Sequence, residues 1–125
     1  RWGRKSDGFP RIKAAMDALY GCPPKVFPFG QQYRWLDLAA YKTESFTIRF
    51  EDASVQEALA LAKPITELHR RIGKQELCRH EFLTEDGAIQ ATTFSDGTRV
   101  AANFSAESRT VDDIGRLPPE SWRVL

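Results

Sequence analysis

Polar and apolar positions alternate with a period of two along His80 to Ser105, HEFLTEDGAIQATTFSDGTRVAANFS, and they do so in three runs. Between Asp86-Gly87 and Asp96-Gly97, Ile89, Ala91 and Thr93 share one side, and Gln90, Thr92 and Phe94 share the other. After Gly97, Val100, Ala102 and Phe104 alternate with Arg99, Ala101 and Asn103. A strand has this period because its successive side chains point to opposite faces. Asp-Gly between such runs predicts a tight two-residue turn, since Gly takes positive φ at no steric cost. The stretch therefore predicts a three-stranded antiparallel meander.

Upstream the period lengthens. Ile12, Ala15, Met16 and Leu19 fall at i, i+3, i+4 and i+7, one face of a helix running from Pro10 or Arg11 to Tyr20. Ser6 or Asp7 is placed to cap its start, Gly21 to end it, and Pro23-Pro24 to forbid its continuation. A longer helix is predicted over Ser54 to Gly73. Ser54 and Glu57 have capping-box spacing, and Val55, Ala58, Leu59, Ala62, Ile65, Leu68 and Ile72 form the apolar stripe. Arg70 and Arg71 suit the negative end of the helix dipole. Pro64 removes one backbone donor inside this helix and predicts a kink there.

Between the helices, Val26, Phe27 and Phe29 predict a brief strand over Lys25–Phe29, at an edge because of Pro28. Phe46, Ile48 and Phe50 predict another. Gly30 to Ser45, GQQYRWLDLAAYKTES, is irregular and aromatic. After the meander, Thr110-Val111 marks a short strand and Ser121 to Leu125 a last one. Helix, strand, loop and helix followed by all β is an α+β order. The boundary falls at Gly73 to Gln75, giving residues 1–73 and 74–125 as two units.

Composition narrows the function classes. The chain has 125 residues, with Lys plus Arg 18 against Asp plus Glu 17 and a net charge of +1. Nucleic-acid binding needs a clustered basic face, and Arg1, Arg4 and Lys5 form the only local cluster, better read as a solvated end. No apolar run approaches the ~20 residues of a membrane-spanning helix. Neither nucleic acid nor membrane is an expected partner. Arg1-Trp2-Gly3 does not read as a natural start, so a preceding segment is expected. Cys22 and Cys78 form no CxxC pair and have no His at zinc-finger spacing, so no structural zinc is expected. Two partly buried free thiols are the simplest reading of them.

The Gly30 to Ser45 loop is the candidate site. It gathers Gln31, Tyr33, Arg34, Trp35, Asp37 and Tyr41, with Gln32 among them. Flat aromatic faces pack on the apolar side of a pyranose ring, and amide, carboxylate and guanidinium groups take its hydroxyls. The competing reading makes Tyr33, Trp35 and Tyr41 core anchors, since such rings are buried on average. His69 and His80 are possible general bases, but neither has a partner fixed by spacing, and a structural hydrogen-bonding role fits both better. Cleaving a glycoside needs two facing carboxyls. Asp37, Glu44, Glu51 and Asp52 are available, but no spacing pairs them, and Glu51-Asp52 is already explained by the helix start that follows. No catalytic residue, metal ligand or cofactor motif is identified.

ALYGCPPKVFPFG, the aromatic loop, the capped helix ending in HRRIG, the meander and the closing PPESWRVL together resemble the end of certain glycoside hydrolases. The nearest are the endo-α-N-acetylgalactosaminidase group (glycoside hydrolase family 101) and its relatives. The likeness covers roughly residues 18–125 and centres on T-x-F-x-D-G-T-x-V-x-x-N-F, here Thr92 to Phe104. It implies the end of a (β/α)8 barrel followed by a small antiparallel β domain. Lys25–Phe29 then resembles a late barrel strand, with the aromatic loop at the substrate face. It also implies a carbohydrate substrate, a missing N-terminal barrel domain as partner, and catalytic carboxylates lying earlier than this sequence reaches. The expected function is a C-terminal hydrolase fragment without the catalytic pair. The alternative is a non-catalytic β module that binds carbohydrate or protein. The first predicts exposed apolar faces at Ile12/Met16/Leu19 and Val55/Leu59/Ile65, and the second predicts those faces covered from within.

Overall fold

The computed structural model describes residues 9–24, 51 and 53–125. The strands expected at Lys25–Phe29 and Phe46–Phe50, the loop Gly30–Ser45, and the caps assigned to the Ser6, Asp7 and Ser54 side chains lie outside the described residues. Among those described, the order is α1 (Phe9–Leu19), α2 (Ala53–Ile72), β1 (Leu77–Phe82), β2 (Ile89–Phe94), β3 (Arg99–Asn103), β4 (Arg109–Val111), β5 (Gly115–Leu117) and β6 (Ser121–Val124). The class is α+β, with an antiparallel four-stranded sheet in the order β1-β2-β3-β6 and a separate β4-β5 hairpin.

The expected meander is present, but its turns differ from the expected two-residue type. That type needs positive φ at both central residues. Glu120 is the only described non-glycine residue with positive φ, so neither Asp86 nor Asp96 adopts that geometry. Instead Phe94 N–H donates to the Thr98 carbonyl and Gly97 N–H to the Phe94 carbonyl, closing a three-residue loop with Gly97 at φ 83°. The Asp96 carboxylate explains the preference. It accepts from Thr98 N–H at 2.9 Å and the Thr98 hydroxyl at 2.8 Å. The first turn is longer: Leu83 N–H donates to the Ile89 carbonyl, and Gly87 N–H to the Thr84 carbonyl. Asp86 repeats the device there, accepting from Ala88 N–H and the Thr84 hydroxyl.

Strand register sorts the side chains onto two faces. Thr92 lies across from Val100 and Gln90 from Ala102, while Val100 meets Val124 and Ala102 meets Trp122. This face, with Phe94, lies under the helices. Ala18, Leu68, Ile72, Phe94 and Val100 form one buried cluster, and Ala15, Leu19 and Ala102 form another, with Trp122 against both. Fully burying a side chain the size of Leu19 or Ile72 stabilises by about 1.5–3 kcal/mol. The small residues Ala15 and Ala18 let α1 approach the sheet closely enough for the Thr92 hydroxyl to donate to the Leu19 carbonyl at 2.6 Å.

On the opposite face, Ile89, Ala91 and Ala101 are covered by Ile114 and Leu117 of the β4-β5 hairpin. Asn103, fully buried, locks that cover in place. Its amide nitrogen donates to the carbonyls of Glu107, Leu117 and Pro118 at 2.8, 3.2 and 2.8 Å. Its amide oxygen accepts from Ser105 N–H and the Ser105 hydroxyl. The short strand expected at Thr110-Val111 is β4. Its partner β5 carries too little periodicity to be read from three residues.

Both helices end as their sequences require. Gly21, at φ 67°, follows α1; its N–H donates to the Ala18 carbonyl, and Cys22 N–H donates to the Asp17 carbonyl. These two bonds close a helix on a left-handed glycine. The helix α2 begins at Ala53, one residue before the expected Ser54, and runs through Pro64 to Ile72.

Candidate binding surface

The six residues assigned to the site from sequence, Gln31, Tyr33, Arg34, Trp35, Asp37 and Tyr41, lie outside the described residues, as do Glu44 and Asp52. Glu51 is exposed just before α2. Both histidines have structural hydrogen bonds. His69 Nδ1 lies 2.9 Å from the Gly21 carbonyl and ties the end of α2 to the end of α1. A carbonyl can only accept, so Nδ1 carries the proton. The His80 Nε2 lies 2.9 Å from Gln90 Oε1, across the β1-β2 pair. Cys22 and Cys78 are free thiols, and both are exposed rather than partly buried. Among the described residues no group of three or more His, Cys, Asp or Glu is placed to hold a metal ion.

The structure assembles a surface the sequence did not announce. β1 is an edge strand, and the helices do not cover its side of the sheet. His80 and Phe82 stand there two residues apart. The end of α1 brings Tyr20 onto the same row. Tyr20 and His80 ring centres are 5.7 Å apart, and His80 and Phe82 4.9 Å, each pair tilted by 57°. Such edge-tilted spacing is favourable for aromatic pairs. Phe82 is 66% exposed and Tyr20 45%. Period two shows His80 and Phe82 on one face. The arrival of Tyr20, sixty positions away, is a tertiary fact that no local pattern carries.

A second feature is a cleft of about 260 Å³ between the helices and the start of β6, lined by Arg11, Ala14 and Leu61 of the helices and by Pro119 to Trp122. Arg11 pairs with Glu120 at 3.0 Å, joining α1 to the last strand. Glu120 holds φ at 46°, an uncommon position for a residue with a Cβ. Its N–H donates to the Ser105 carbonyl, which fixes that turn. Over the hairpin side of the sheet, Glu81 bridges Arg79 and Arg99 at 3.1 and 3.3 Å. Glu81 and Arg99 are part-buried and Arg79 is exposed, and ion pairs so close to solvent contribute little stability individually.

Two carboxyls are electrostatically tuned, and both belong to turns. Bonds from the Thr98 backbone and hydroxyl, helped by Arg71, hold Asp96 below its ordinary 3.8. The Thr84 hydroxyl and Ala88 backbone, helped by Arg109, do the same for Asp86. Folding therefore favours their ionised forms. The contribution is fully present above the unfolded value and is lost as pH falls through the lower folded one. Thermal stability is expected to fall as pH drops from 5 into the region below 3.8. The Asp86→Asn, Asp96→Asn double variant, less stable at neutral pH, is expected to show a shallower acid limb. Melting curves across that range check this, and an unchanged acid limb contradicts it.

No protein-family model matches this chain, and no curated protein matches it.

Proposed function

We propose that this chain is a non-catalytic accessory β module of a carbohydrate-active glycoside hydrolase, contributing sugar contacts rather than bond cleavage. The observation that carries this reading is the cover over the helices. Leu19, Val55 and Ile65 are buried within the chain's own core, Ile12 and Met16 are half-buried, and Leu59 on α2 is exposed. A helical preface packed on its own sheet fits a self-contained module better than the end of a larger barrel. The carbohydrate assignment rests on the resemblance of Thr92 to Phe104 and its flanks to the ends of glycoside hydrolases.

In the barrel-end form of the same reading, residues 1–73 close a (β/α)8 barrel and the Gly30–Ser45 loop faces the substrate. Exposed Leu59 is the described α2 position that favours it. Titrating the whole chain with neutral oligosaccharides, followed by tryptophan fluorescence, tests the proposal. Saturable binding with no release of sugar from aryl glycosides is expected. Absence of binding to every sugar, or hydrolytic turnover by the chain alone, overturns it.

A further inference from the structure

We infer that the Tyr20–His80–Phe82 row on β1, with Gln90 beside it, is a neutral-sugar binding site. The inference deepens the accessory-module reading and rests on it.

The row is held in place before any ligand arrives. Gln90 Nε2 donates to the Gly87 carbonyl at 2.9 Å, which orients the amide. Gln90 Oε1 must then be the atom facing His80 Nε2, and Nε2 must be the donor. The neutral imidazole consequently keeps its lone pair on Nδ1, an acceptor matched to a hydroxyl group. Phe82 lies beside the first turn, where a Cβ built on Gly87 would make ordinary van der Waals contact with its ring at 3.4 Å. Tyr20 adds a third ring and a phenolic hydroxyl able to donate or accept.

The chemistry selects the occupant. The exposed parts of the Phe82 and Tyr20 rings offer apolar surface to the C–H side of a pyranose, and His80 Nδ1 between them and the Tyr20 hydroxyl are the polar groups for its rim. None of the four side chains carries a formal charge when the imidazole is neutral, so the row offers an ionic peptide no counter-charge. The row by itself is small beside the about 800 Å² per partner that a stable protein interface buries. Three partly covered rings expose much less, on the scale of one or two sugar rings.

The test uses the whole chain and a panel of neutral oligosaccharides containing glucose, galactose, mannose or N-acetylhexosamine, titrated by calorimetry. The wild type is compared with Phe82→Ala, Tyr20→Ala and His80→Phe, and with Trp35→Ala in the Gly30–Ser45 loop. Phe82 is exposed, so its variant is expected to melt with the wild type. The inference expects affinity to fall about tenfold or more in Phe82→Ala and Tyr20→Ala. It also falls in His80→Phe, which keeps a ring but removes the acceptor. Trp35→Ala binds as the wild type does. If the wild type binds sugar, Phe82→Ala binds equally well and Trp35→Ala does not, this site is wrong while the module reading stands. If the wild type binds no sugar, both fail. If it instead self-associates, and Phe82→Ala abolishes this in sedimentation, the occupant is a second copy and the inference is overturned.

Discussion

Asn103→Ala is expected to destabilise the fold by about 3 kcal/mol, because it strips a partner from one buried and two part-buried carbonyls at once. The wild-type amide reaches the carbonyls of Glu107, Leu117 and Pro118, and alanine offers none of them a donor. Leaving a buried acceptor unmade costs about 1–3 kcal/mol, so the Leu117 carbonyl together with its two part-buried neighbours reaches the expected figure. For a domain of this size the melting temperature should drop by roughly 10 °C. Asn103→Asp is the sharper variant. It keeps an acceptor for Ser105 but points a second acceptor at three carbonyls. It should melt at or below Asn103→Ala. An Asn103→Asp protein as stable as the wild type would mean that the amide is not the clamp described above.

Gly21→Ala carries the second large effect, again about 3 kcal/mol, by a different route. At φ 67° an alanine is in the left-handed region, which costs about 1–2 kcal/mol for a residue with a Cβ. Its Cβ would also sit 3.0 Å from the Phe94 ring and 3.3 Å from Ile72, in the centre of the core. Overpacking of that kind costs about 1–3 kcal/mol more. The Gly21 carbonyl accepts from His69, so a shift there disturbs both helix ends. Chemical denaturation should show a lower midpoint with an unchanged slope. A midpoint within experimental error of the wild type would refute this account of the turn.

Much of the fold was legible because its signals are local. Period two identified β1 to β3, and the i, i+3, i+4, i+7 pattern with Gly21 identified α1. The pairing of β6 with β3, and the folding of the β4-β5 hairpin under the sheet, were not legible, since both depend on contacts between distant segments. The Thr92 to Phe104 pattern is instructive. Thr92 bonds the Leu19 carbonyl, Phe94 and Val100 fill the core, and Asp96, Gly97 and Thr98 build the turn. Asn103 then clamps the hairpin. All of these positions maintain the architecture. A match to such a motif therefore reports a β module more directly than it reports a ligand. The exposed row at β1 was hidden for a related reason: only the packing of α1 brings its three rings together.

The arrangement of α1 also governs how the chain is made. Among the described elements it leaves the ribosome first, yet its partners in the sheet come late. Thr92 is 73 positions from Leu19, and Glu120 is 109 from Arg11. Closing loops of that length is slow because the entropy is lost before the contact forms. During synthesis α2 is the first partner to emerge, bringing Leu68 and Ile72 to Ala18, while Ala15 and Leu19 wait for β3 and then for Trp122. An interruption of translation before Trp122 leaves this packing incomplete, so among the described elements the earliest helix is finished by the latest strand.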